Sequence, residues 1–192
     1  MAAVFVEKTY TVAEYLQWER QTGEKHAFYN GKIEPMAGGS IAHNRVARNI
    51  FGLLFQYLRD KPEFELFGSD QKIYLPRFNF YVYPDAVVVA GHPIESAQEA
   101  DAIVNPLLIV ETLSNSTERY DRGQKFVEYQ SLPSFQEYIL LRQDMPEAYA
   151  YFREAPDLWR STEQRGLDAT LLCRSIGISI PMAELYHKVF EG

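Results

Sequence analysis

The longest periodic stretch of the chain is SIAHNRVARNIFGLLFQYLRD, from Ser40 onward. It repeats Val46, Ile50, Leu53, Leu54 and Tyr57 at helical spacing, and Pro62 follows. Apolar residues at that spacing predict a helix with one buried face, stopped before the proline. Upstream, TVAEYLQWERQ opens on Thr11 with Glu14 three residues later. This is a capping-box pattern and predicts a short amphipathic helix. Between the two helices, HAFYNGKIEPM centres on Asn30-Gly31, a turn signal that predicts a hairpin. Downstream the period changes. FELFGSDQKIYLP, FYVYPDAVVVA and PLLIVETLS are rich in β-branched and aromatic residues and bordered by Gly or Pro, so they read as three strands. Residues 86–90 and 107–110 are unbroken apolar runs, which predicts strands covered on both faces. STERYDRGQKFVEYQ then reads as a helix, FQEYILLRQ and EAYAYFREA as strands, and PMAELYHKVF as a last helix with Pro181 at its first position. The order is helix, hairpin, helix, three strands, helix, two or more strands, helix. It predicts an α/β fold, a mixed α+β sheet with helices on its faces, built as one domain over residues 1–192.

Composition narrows the function. At 192 residues and 46% hydrophobic content the chain can build a sizeable core. Its single cysteine, Cys173, excludes an internal disulfide and a cysteine-based zinc site. The N-terminal MAAVFVEKTY has too short an apolar run for a signal peptide, and no stretch has the ~18 apolar residues of a membrane span. A cytoplasmic setting without membrane is expected. The net charge of −7 argues against a protein that coats nucleic acid, yet leaves room for a nucleic-acid enzyme with acidic residues at a metal site and a local basic patch for phosphate.

The chemistry lies at two strand ends. Asp85 follows Pro84 and precedes one apolar run, and Glu111 ends the other. An isolated carboxylate at a sheet centre is costly, and two on neighbouring strands repel each other unless a cation lies between. Hard oxygen ligands suit Mg²⁺ or Mn²⁺, which can polarise a phosphoryl oxygen and generate hydroxide. A nearby ammonium could then serve the phosphate or the attacking water. Asp121 and Lys125 form the favoured i, i+4 surface pair, contributing about 0.3 kcal/mol.

Pro84-Asp85, followed by Glu111 at the end of an apolar strand, resembles the PD-(D/E)XK nuclease superfamily, and the ordered set with Asp121, Lys125 and Tyr129 makes the likeness more specific. More closely, EKHAFYNGKIEPMAGGSIAHN, YPDAVVV, NPLLIVETLSNSTERYDRGQKFVEYQ and EYILL resemble the Uma-two family of restriction-endonuclease-like proteins. The resemblance spans most of residues 24–141. It implies a restriction-endonuclease-like fold and a metal-dependent endonuclease acting on DNA. Asp85, Glu111 and the Thr112 carbonyl would hold Mg²⁺ or Mn²⁺. The superfamily's lysine falls two residues after the glutamate, where this chain has Leu113, so the resemblance implies that Lys125 has taken over from the following helix. A homodimer presenting two sites is expected by analogy. Relatives carry a glutamate directly before the hairpin aromatic, where this chain has Ala27. That implies weaker metal binding, lost activity, or recruitment of Glu24 or Glu34.

His43, Asp121 and Gln71 are additional candidates. His43 lies near a helix start and reads either as a structural hydrogen bonder or as a site residue. Arg45 and Arg48 read as a solvated helix face, with phosphate contact as the alternative. Gln71 and Lys72 open a strand near the expected site. Tyr129 reads as packing that fixes Lys125. Residues 37–40 read as a connection ending in Ser40 as N-cap, with a phosphate cradle as the alternative. Two rival functions stand beside the nuclease: a catalytically degraded fold serving as a protein-interaction or regulatory module, and a metal-dependent hydrolase of small phosphoesters.

Overall fold

The computed structural model describes residues 8–36, 38–99, 101–114 and 117–190. The start of the N-terminal segment read above for a signal peptide, and Ala37 of the connection, lie outside the described residues.

The first helix, α1 (Val12–Thr22), starts at the capping box. Glu14 accepts from the Thr11 backbone N–H at 2.7 Å, while Thr11 Oγ1 accepts from the Glu14 N–H at 3.2 Å. β1 (His26–Tyr29) and β2 (Lys32–Pro35) follow, joined at Asn30 and Gly31. Both turn residues have positive φ, 43° and 93°, as a tight two-residue hairpin requires. α2 (Ile41–Leu58) is capped by Ser40, and its buried stripe is Val46, Ile50, Leu54 and Leu58. Tyr57, expected on that stripe, is exposed, because Leu58 occupies the inward position instead.

The strand-rich region divides its strands between two larger sheets. β3 (Phe64–Gly68), β6 (Ala86–Ala90), β8 (Leu108–Leu113), β9 (Glu137–Arg142), β10 (Glu147–Ala155) and β11 (Leu158–Arg165) form a mixed sheet in the order β11-β10-β9-β8-β6-β3. β4 (Lys72–Leu75), β5 (Phe80–Val82) and β7 (Ala102–Ile103) join the hairpin in a second sheet, β2-β1-β5-β4-β7. FYVYPDAVVVA is therefore two strands in two sheets. The chain changes sheet at Tyr83, Pro84 and Asp85, where proline cannot continue a ladder. β12 (Thr170–Cys173) and β13 (Ile178–Pro181) form a small antiparallel pair before α5 (Met182–Leu185).

The expected continuous helix after β8 is broken as well. α3 (Glu118–Arg122) and α4 (Gln124–Tyr129) meet at Gly123, whose φ of −114° and ψ of −94° depart from helical values. A Cβ there would approach the Arg119 carbonyl oxygen to 3.1 Å.

Period-two alternation distributes the core between the two faces of the mixed sheet. Val88, Leu108, Val110 and Ile139 pack with α2, while Val87, Val89, Ile109 and Leu140 pack with Ile73, Phe80 and Val82 of the second sheet. The opposite face of that second sheet offers Phe28, Tyr74 and Tyr81 to Tyr15 and Leu16 of α1. The layers run α2, mixed sheet, second sheet, α1. Among the described residues no helix is long and apolar enough to cross a membrane.

Candidate active site

β6 pairs antiparallel with β8 in the register Ala86↔Val110, which sets Asp85 beside the end of β8. The Thr112 backbone N–H donates to Asp85 Oδ2 at 2.6 Å, and His43 Nε2 lies 3.5 Å from the same oxygen. Glu111, two residues beyond Ile109, points to the same face of the mixed sheet as that residue, toward the second sheet. Its Oε1 accepts from the Tyr129 hydroxyl at 2.9 Å and faces the Lys125 ammonium at 2.6 Å. Lys125 also meets Asp121 Oδ1 at 3.2 Å across the Gly123 break. Glu111, Asp121 and Lys125 are all buried, with 7%, 4% and 7% of their surface exposed. The Asp121–Lys125 pair is therefore no solvated surface pair.

The electrostatics follow from that burial. Desolvation pushes the Glu111 carboxyl up to about 7, aided by the neighbouring Asp121 and Asp85 charges and opposed by Lys125. Burial alone would lower the Lys125 ammonium, but Glu111 and Asp121 outweigh it and hold the lysine well above its ordinary value. The Tyr129 hydroxyl is also raised, first by burial and then by Glu111.

Glu111, Asp121 and Lys125 line a cavity of about 690 Å³ at the seam between the two sheets. Its walls come from the hairpin, the start of α2, the ends of β5 and β8, and α3–α4. Asp85, Glu111, Thr112, His43, Asp121 and Lys125 all face it. Gln71 does not: its amide donates to the Lys72 and Asp101 carbonyls and ties down the start of β4 in the other sheet. Lys72 is likewise spent on Glu19, at 2.5 Å. Arg45 donates to the Val189 carbonyl and Arg48 to the Asn49 side chain, so both serve the α2 surface. Tyr129 fixes the glutamate more directly than the lysine, whose Nζ lies 6.0 Å from its ring centroid.

Of the two glutamates expected as replacements, the hairpin brings Glu34 to the cavity by cross-strand pairing. Ala27 lines the cavity, and its cross-strand partner is Glu34, which lines it too. Glu24 lies beside His26 instead, where its carbonyl meets the ring Nδ1 at 2.9 Å. The turn at Asn30-Gly31 carried this signal, because a two-residue loop pairs 29 with 32 and hence 27 with 34. Gly39, within the stretch 37–40 read as a connection, takes a more specific role. A Cβ there would come within 2.5 Å of His43 Nδ1, so only glycine lets the imidazole approach the loop backbone. Among the described residues, His43 Nδ1 and Thr112 Oγ1 are buried and find no hydrogen-bond partner.

Among the described residues, no three of His, Cys, Asp and Glu converge into a metal cage. A site for Mg²⁺ does not need one, since that ion keeps several waters and is commonly held by one or two carboxylates and a substrate phosphate. The donor set fits such an ion. Both partners of Glu111 use Oε1 and both partners of Asp85 use Oδ2, so each carboxylate keeps one oxygen that these partners do not engage.

Comparison with known proteins agrees with this frame. The family model Uma2, described as "Putative restriction endonuclease", matches residues 12–183. An uncharacterized protein of Synechocystis, sll1609, is 37% identical over 171 residues, covering 89% of this chain and 96% of its own. A second from the same organism, slr1290, is 34% identical over 174 residues, covering 91% and 90%. The crystal structure of a "putative nuclease belonging to DUF820" from Anabaena variabilis superposes with a TM-score of 0.74, covering 92% of this chain and 97% of its own. At 14% identity that likeness shows a shared fold. With the family model running from α1 to α5, the chain belongs to the Uma2 family of restriction-endonuclease-like proteins.

Proposed function

We propose that this protein is a metal-dependent nuclease that hydrolyses phosphodiester bonds in DNA. The observation that carries the reading is the buried group of Glu111, Asp121 and Lys125 beside Asp85, all facing one cavity. Family membership supports nuclease chemistry, and restriction-endonuclease-like families generally use divalent metals.

Asp85 and Glu111, with the Thr112 carbonyl, would hold Mg²⁺ or Mn²⁺. When bound, such an ion supplies a polarised phosphoryl oxygen and a water acidic enough to act as nucleophile at neutral pH. The chain's own residues do the rest. Asp121 holds the Lys125 ammonium at the cavity wall, where it neutralises charge that develops on the phosphate. Tyr129 fixes Glu111 through Oε1, and the Thr112 N–H fixes Asp85 through Oδ2. Each acid is thus pre-oriented before substrate arrives. His43 stands behind Asp85 and resists its rotation. Glu34 adds negative charge at the rim, opposite Ala27. A homodimer would set two such sites against two strands.

Purified protein with Mn²⁺ or Mg²⁺ is expected to cut plasmid DNA, and Asp85→Ala or Glu111→Ala to abolish cutting with the melting temperature retained. Cutting that persists in the double variant comes from a contaminant and sinks the reading. Ala27 favours a second reading, a nuclease fold without catalysis that serves as an interaction module. Calorimetry separates the two, because the module takes up neither Mg²⁺ nor Mn²⁺.

A further inference from the structure

We infer that the substrate of this site is an unpaired DNA strand, with one unstacked base seated in the cavity against Tyr29 and Tyr120. The inference rests on the nuclease reading and specifies its substrate class.

Three observations converge. The first is depth. Glu111 and Lys125 are buried at 7% exposure each and are met through the cavity. A duplex holds its phosphates on a stiff outer backbone, whereas a single strand can bend and lower one phosphate to that floor. At about 690 Å³ the cavity falls in the range of small-ligand pockets, so it takes a nucleotide rather than a helix.

The second is the wall. Tyr29 and Tyr120 line the cavity, yet are 38% and 39% exposed, so their rings present unused surface. Each ring is held in place. Tyr29 packs edge-on against Phe80 at 5.4 Å, and the Tyr120 hydroxyl donates to Glu128 at 2.8 Å. Fixed aromatic faces beside a phosphate site are the platform on which unpaired bases stack, with little regard to sequence.

The third is charge. Duplex affinity comes from many Lys and Arg contacts to phosphate. Here the chain carries −7, and Lys125, which lines the cavity, already has acidic partners. Lys125 holds Glu111 and Asp121, Arg122 holds Glu118, and Arg142 holds Glu118 and Asp144. Stacking and one metal-held phosphate replace an electrostatic clamp.

The test uses the full chain in Ca²⁺, so that binding is read without cutting. Fluorescence polarisation compares one labelled oligonucleotide as a single strand and annealed to its complement, and 2-aminopurine in the strand reports stacking. The expected result is single-strand affinity at least about tenfold above duplex, with 2-aminopurine quenched on binding. Tyr29→Ala or Tyr120→Ala should lose about tenfold, and Tyr29→Phe should retain affinity, because the ring and not the hydroxyl does the stacking. Equal or tighter duplex binding overturns the inference. So does a single-strand preference untouched by both alanine variants, or the absence of binding to either form. Single-strand binding that shows these effects, without cutting in Mn²⁺, supports the base pocket and overturns the nuclease reading.

Discussion

Lys125→Met tests the centre of the site without removing a proposed metal ligand. In the folded chain the ammonium lies 2.6 Å from Glu111 and 3.2 Å from Asp121, all three groups buried. At an effective dielectric of about 20, unit charges at those separations attract by roughly 6 and 5 kcal/mol. Removing three ions from water costs several kcal/mol each, so the intact group sits near balance. Methionine keeps much of the volume and deletes the cation, leaving two carboxylates buried against each other. Losing one member of a buried ion pair costs about 3–5 kcal/mol. The raised Glu111 carboxyl takes up a proton readily, which favours the lower end of that range. For a chain of this length each kcal/mol moves Tm by about 2–4 °C, so Lys125→Met should melt about 10 °C lower at pH 8. Circular dichroism melts and urea titrations measure both quantities. Glu111→Gln in the same chain should recover much of the loss, because the remaining buried charge then has no like-charged neighbour. A loss under about 1 kcal/mol, or strict additivity of the two substitutions, would refute the account of Lys125 as the cation holding two buried acids.

Gly39→Ala places a methyl 2.5 Å from His43 Nδ1, so the imidazole should move off Asp85 and cutting should fall about tenfold while Tm barely changes, since Gly39 is exposed. Single-turnover assays check the first effect and thermal melts the second. Tyr129→Phe deletes the 2.9 Å bond to Glu111 and should lower stability by about 1 kcal/mol in urea titrations. With that donor gone, the Glu111 carboxyl should titrate still higher, seen by carboxyl-labelled NMR. Divalent metal should compete with the proton on Glu111. Its carboxyl titrates at about 7 in the fold, so affinity for Mn²⁺ should fall as pH drops below 7, and calorimetry in buffers of different ionisation enthalpy should show proton release. The same raised value means the fold holds this proton where the unfolded chain has lost it. Glu111 therefore makes the metal-free protein less stable as pH rises from about 4.5 to about 7. The raised lysine keeps its full contribution across that window and gives it up only at far higher pH.

Local chemistry was readable wherever one residue type decides the backbone. Thr11 with Glu14, Asn30 with Gly31, and Ser40 each mark an element boundary that the structure has. The apolar runs also told correctly that β6 and β8 are covered on both faces. Periodicity reports burial but not the partner that provides it. FYVYPDAVVVA has the same pattern whether it is one strand or two, so its transfer between sheets at Pro84 was hidden. The candidate residues were picked out by spacing and family resemblance, and the structure gathers Asp85, Glu111, Asp121, Lys125 and His43 around one cavity. Gln71 was misplaced because its amide turns to the Lys72 and Asp101 carbonyls at the β4–β7 end of the second sheet, whereas the cavity lies at the hairpin and β5 end. The Tyr29 and Tyr120 wall was missed because it joins a hairpin to a helix far away in sequence, a contact that neither segment's pattern encodes.

β8, α3, α4 and β9 form one continuous parallel strand-helix-strand unit. Glu111, Asp121, Lys125 and Tyr129 all belong to it, within nineteen consecutive residues (111–129). Loop closure over so short a span is entropically cheap, so these four groups can find one another early in folding. Asp85 reaches them only when β6 docks on β8, and the Thr112 N–H is the clasp that records its arrival. The order of assembly then acts as a safeguard: the lysine-held glutamate forms within one short segment, and the second carboxylate joins it only once β6 has docked on β8.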